Sequence, residues 1–154
     1  MNREAIYAAL WTQLQTAEGF QTVSRRPILP DELANVEQPA LAMEELPEEA
    51  IQQPDGTGGK RLLHINLAVY CLRPAGPLAS FESEDGTDAP TTQLNDLLDA
   101  VEACLAPAAY AKYQDLGIPL LIQHAWIEGT IEKNPGYLST QCAAVVPVHI
   151  LAYP

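Results

Sequence analysis

The sequence predicts an α+β domain, a mainly antiparallel sheet with two helices packed on one face. Three stretches point to it. Between Lys60 and Leu72 the side chains alternate, with Leu63, Ile65, Leu67, Val69 and Cys71 on one face and His64, Asn66, Ala68 and Tyr70 on the other. That pattern belongs to a strand with one covered face and one half-polar face. From Thr91 or Thr92 to Leu105, the residues Leu94, Leu97, Leu98, Val101, Cys104 and Leu105 form a stripe at helical spacing. From Ile118 to Tyr153 the chain reads as a long two-stranded hairpin.

The first helix is expected from Asn2 to Ala17. Ile6, Leu10 and Leu14 recur every fourth residue, Asn2 is placed to cap, Glu4 lies in the first turn and Gly19 is placed to end it. Tyr7 and Trp11 form a neighbouring stripe, read as the flank of the core or as a subunit interface. Phe20 to Arg26 reads as a short strand. From Pro27 to Gly59 there is no Lys or Arg but eight acids, punctuated by prolines, so residues 27–59 read as a long acidic loop. Within it Pro39 to Glu44 is patterned as one strand. The Asp55–Gly59 run reads as a hairpin tip; it lacks the Lys-Ser/Thr ending of a phosphate cradle.

Residues 74–90 form a second long acidic loop without the Asp-x-Asp spacing of a calcium site. Pro107 stops the second helix, and Tyr110 to Gly117 link it to the hairpin. In the hairpin, Pro119–Glu132 is the first arm, Lys133–Gly136 the turn and Tyr137–Tyr153 the second arm. Pro135 presets φ and Gly136 takes the positive-φ position of a type II turn. Cys142, Ala144, Val146, Val148 and Ile150 share one face. Pro147 has no N–H for a ladder, so an edge or a bulge is expected there.

At 154 residues and 16.7 kDa, one domain spanning 1–154 is expected. Twenty acids against eight bases, net −12, argue against nucleic acid held by charge attraction. Cys71, Cys104 and Cys142 are far apart in sequence and form no C-x-x-C pair, as expected of buried reduced thiols. No charged-then-apolar leader and no apolar run of about 18 residues appears, so a soluble intracellular chain without a membrane partner is expected. His64, His124 and His149 lie on three predicted strands; three imidazoles can hold zinc, but no ligand spacing supports it. No nucleophile elbow, His-Glu-x-x-His pair or dinucleotide glycine pattern is present, and Ser24, Ser80, Ser83 and Ser139 have no motif partner. The expectation is no enzyme, no cofactor and no metal.

Several phrases, in this order, carry a resemblance. They are Ala5–Leu10, Gln38–Leu41 followed by acids, Leu63–Tyr70, Leu94–Val101, Gln114–Gly117, His124–Gly129 and Ala144–Ile150. Over most of its length the chain resembles the tail terminator (tail completion) proteins of long-tailed bacteriophages. The resemblance implies a tail-terminator-like fold and a structural role: a ring, usually of six subunits, at the head-proximal end of the tail tube. Such a ring stops tube growth and joins the tail to the head connector. The partners implied are further copies of the chain, the tail tube protein and a connector or stopper protein, with DNA passing through unbound. The location implied is the virion tail, after assembly in the host cytoplasm. The residues expected at an oligomer interface are Tyr7, Trp11, Arg25, Arg26, Lys60, Arg61, Tyr70 and Trp126, the arginines and Lys60 meeting a neighbour's acidic loop. The alternatives are another neck or connector protein of the same particle, or an acidic DNA mimic that inhibits a host nuclease.

Overall fold

The alternation of Lys60–Leu72 produces the strand about which the rest is arranged, β4 (Lys60–Leu72). The structure is a computed structural model, and it describes residues 1–52, 58–73, 91–136 and 140–154. On one side β4 pairs antiparallel with β7 (Gln141–Ala152), from Arg61 opposite Ala152 to Leu72 opposite Gln141. On its other side β4 pairs with β2 (Ala40–Glu45) and then β3 (Glu49–Ile51), both antiparallel. Beyond β2 lies β1 (Thr22–Ser24), which runs parallel to it. Beyond β7 lie β5 (Ile122–Ile127) and β6 (Glu132–Asn134), one after the other along the same flank. The order is β1-β2-β4-β7-β5, with β3 on β4 and β6 on β7.

Helix α1 (Arg3–Leu14) begins where the Asn2 side chain accepts from the Ala5 N–H at 3.1 Å. Helix α2 (Thr92–Leu105) ends at Ala106, one residue before Pro107. Both lie on the same sheet face. Because Leu67 is opposite Val146 and Ile65 opposite Val148, the odd residues of β4 and the even residues of β7 point the same way. The stripes of α1 (Ile6, Leu10, Leu14) and α2 (Leu94, Leu98, Val101) close over them in one buried core. Each fully buried Leu or Ile there contributes about 1.5–3 kcal/mol of transfer free energy.

The expected class is therefore observed: two helices against a mainly antiparallel mixed sheet. Several details differ. Helix α1 stops at Leu14, and Gly19, at φ +89°, turns the chain towards β1 instead of closing the helix. The strand expected over Phe20–Arg26 is three residues long and parallel, so the sheet is mixed. Residues 27–59 are not one loop. They hold two short 3₁₀ turns (Pro30–Glu32 and Asn35–Glu37), β2 and the unexpected β3, which makes a hairpin with β4. The Asp55–Gly59 tip falls partly in residues 53–57 and the second acidic loop in 74–90, both outside the described residues.

The hairpin's first arm is split. After Ile127 it leaves β7, turns at Gly129 (φ +118°) and returns as β6. Lys133 and Asn134, expected in the turn, pair with Ala144 and Ala143. Gly136 does take a positive φ, +80°. The second arm begins at Gln141, and residues 137–139 of its expected start are outside the described residues. Pro147 lies in a central strand, not at an edge. Its N–H-deficient side faces the interruption between β5 and β6, where the Glu128 N–H donates to the Pro147 carbonyl at 3.3 Å. A Cβ on Gly129 would come within 3.2 Å of the Pro147 ring, so glycine permits both the φ and the close approach.

Candidate functional site

The face of β4, β7 and β5 turned away from the helices carries a row of rings. His64 of β4 is directly opposite His149 of β7, which is opposite Trp126 of β5; His124 is two residues before Trp126 on the same side. The rings follow this register. His64 and His149 meet edge-on at 4.7 Å between centroids, and His149 and Trp126 stack at 5.6 Å. Trp126 and His124 stack at 5.1 Å, and Tyr113 tilts against His124 at 5.1 Å. Such contacts contribute about 0.5–1.5 kcal/mol each beyond burial.

The nitrogens of this row point to different partners. The His149 Nε2–H donates to the Glu128 carbonyl at 3.1 Å, and His124 Nδ1 accepts from the Gln114 N–H at 3.1 Å. The Trp126 indole donates to Glu128 Oε2 at 2.6 Å. His64 Nε2 is 3.3 Å from Glu49 Oε1, yet it is buried without a hydrogen bond. The distance is short enough for an ion pair if the ring is protonated, but the alignment is poor. The three histidines share one row, with His64 meeting His149 and His124 joined to His149 only through Trp126, but no common point for a cation. Among the described residues no three His, Cys, Asp or Glu side chains are grouped to hold a metal.

Nearer β1 the same sheet face is covered by the chain itself. Ile28 and Leu33 pack on Ala40, Ala42 and Tyr70, and the Tyr70 hydroxyl donates to the Ile28 carbonyl at 3.0 Å. Tyr70 is 8% exposed, and burial pushes its phenol above the ordinary value. Tyr7 lies in the main core at 7% exposure. Trp11 is half-buried, its indole donating to the Val23 carbonyl at 3.5 Å. Of the bulky residues expected at an interface, Trp11 and Trp126 retain accessible surface; Tyr7 and Tyr70 are largely buried within the subunit.

Three of the four cations expected at an interface have partners within the chain. Arg25 joins Glu4 at 2.9 Å and Glu45 at 3.7 Å. Arg61 lies 3.7 Å from Glu48, which Arg3 also grips with two hydrogen bonds. The Lys60 ammonium donates to Gln123 Oε1 at 2.6 Å and lies over the Tyr153 ring. The hydrogen bond from Arg25 holds the Glu4 carboxyl below its ordinary value, and that from Arg3 does the same for Glu48. The Arg26 guanidinium is exposed and has no polar partner among the described residues, while its backbone N–H and carbonyl meet the Ser24 hydroxyl at 3.2 and 3.0 Å. It borders an open groove of about 1190 Å³ beside β1, lined also by Trp11, Val23, Arg25, Leu33 and Glu37.

The cysteines are closer than their spacing suggests: Cys71 and Cys142 are cross-strand partners. Both are buried and unbridged. Burial, with the neighbouring Cys142, pushes the Cys71 thiol up to about 12, and burial pushes Cys104 to about 11. Sequence reasoning missed Tyr113, Glu128 and the Arg3–Glu48–Arg61 group. The i, i+2 placing of His124 and Trp126 was a readable signal; the register that sets them beside His149 was not.

No family model and no curated protein matches this chain. Among solved structures it is similar to a chain of the virion of a native gene transfer agent (GTA) particle, with a TM-score of 0.53 and 14% identity, covering 96% of this chain and 93% of that one. At that identity the likeness is one of fold, and it extends over nearly the whole of both chains.

Proposed function

We propose that this protein is a structural subunit of a phage-tail-like particle, and that it caps the head-proximal end of the tail tube as a ring. There it stops tube growth and joins the tail to the head connector. The observation that carries the reading is the near full-length fold likeness to a chain of the GTA virion. The sheet supports it: among the described residues it ends in β1 on one side and in β5 and β6 on the other, two different edges, which suits head-to-tail contacts that close into rings. Net charge of −12 suits a channel through which DNA passes without adhering. The partners are then further copies, six in all by the resemblance above, the tube protein and a connector or stopper protein.

The test is the mass of the purified protein by light scattering after size exclusion, alone and with tail tubes. A closed oligomer, free or on tube ends, supports the reading. A strict monomer that ignores tubes overturns it and favours another neck component or the DNA-mimic inhibitor.

A further inference from the structure

We infer that one copy's β1 edge receives the β6 edge of a second copy, an inference that rests on the ring reading above. Strand direction is the first ground. β1 is parallel to β2, β2 is antiparallel to β4, β4 to β7, and β7 to β6, so β1 and β6 run in opposite senses. A second copy set alongside in the same orientation therefore presents its β6 antiparallel to β1. Both strands are three residues long, and among the described residues each pairs with one neighbour only. On β1 the Val23 carbonyl is met only at a long 3.5 Å by the Trp11 indole, whereas on the alternative outer strand, β5, the Ala125 N–H donates to the Gln114 carbonyl at 2.7 Å.

Charge is the second ground. Seven of the eight lysines and arginines have a partner within the chain: Arg3, Arg25 and Arg61 on carboxylates, Lys60 on Gln123, Arg73 on the Gly136 carbonyl, Lys112 over Tyr113 and Lys133 on Asn95. The Arg26 guanidinium alone has none among the described residues, and Arg26 stands just past the C-terminal end of β1, on the wall of the groove. Antiparallel pairing sets that end beside the N-terminal start of the incoming β6. The residue there is Glu132, exposed, its carboxylate also without a polar partner among the described residues. The groove beside β1 leaves room for the incoming strand. The contact is heterologous, each copy using β1 once and β6 once, and in a closed ring it leaves neither edge open.

The test is charge reversal with complementation in trans. Arg26→Glu sets two carboxylates together at every contact, and Glu132→Arg sets two cations. Each variant alone should need about five- to tenfold more protein to assemble, the scale of losing an exposed ion pair and gaining a repulsion. An equimolar mixture should assemble like wild type, because an even-numbered ring of alternating subunits restores every pair. Recovery in the mixture also shows that both variants fold. Variants that assemble like wild type, or a mixture as weak as its components, overturn this contact and leave the ring reading standing. A wild-type chain that is monomeric both alone and with tubes overturns the ring reading, and this contact with it.

Discussion

His149 makes the hydrogen bond that Pro147 cannot. Glu128 faces Pro147 across the sheet and donates its N–H to the Pro147 carbonyl; an ordinary residue would return an N–H to the Glu128 carbonyl. Proline has none. The imidazole of His149, two residues on and on the same face, reaches that carbonyl at 3.1 Å. His149→Ala should therefore cost about 1–2 kcal/mol, one partly solvated hydrogen bond plus ring contacts. With Pro147→Val in place, the same change should cost about 0.5–1 kcal/mol less, since the backbone then supplies the donor. Urea unfolding of the four proteins checks this; strictly additive effects would show that the two residues do not share the carbonyl.

Tyr70 holds residues 28–33 down on the open sheet face through one hydroxyl. Tyr70→Phe keeps the ring on Ala40 and Ala42 and loses the bond to Ile28. The expected cost is about 1 kcal/mol. Amide exchange at Ile28, Leu33 and Ala34 should quicken while that in β4 and β7 changes little. Unchanged exchange in this segment would assign its order to Ile28 and Leu33 packing alone.

Glu48 links α1 to β4 by accepting from Arg3 and lying near Arg61. Its carboxyl, like that of Glu4, titrates below its unfolded value, held there by its arginine. Depressed carboxylates contribute stability above their unfolded pKa and lose it as pH falls through the folded one. The contribution should thus be complete at neutral pH and decline in the acid range below the ordinary carboxylate value. Glu48→Gln should flatten part of that acid decline and shift neutral-pH stability little, because the pair is on the surface. An acid limb with the same slope in the variant would contradict the assignment.

Cys71 should be nearly inert to alkylation at pH 8 in the folded protein, since its thiol titrates at about 12 and its side chain is enclosed. In denaturant all three cysteines should react at ordinary rates. Mass spectrometry after timed iodoacetamide treatment distinguishes the sites, and rapid native labelling of Cys71 would be incompatible with its place beneath the helices.

The sequence by itself determined which side of each long element is buried. Leu63 to Cys71, Cys142 to Ile150 and Leu94 to Leu105 lie on the inner faces their spacing indicates, because alternation by two and recurrence at three and four are properties of a single segment. Asn2 as a cap and Gly136 at positive φ were legible for the same local reason. Tertiary structure alone decided which strands are neighbours and in what register. It made β1 parallel, drew β3 out of an acidic stretch, and divided the first hairpin arm opposite Pro147. It also set His64, His149 and Trp126 in one row and turned Arg25 and Arg61 onto the chain's own glutamates. These depend on contacts between residues distant in sequence, whose energies no single segment encodes: a shift of one residue in pairing moves every side chain to the opposite face.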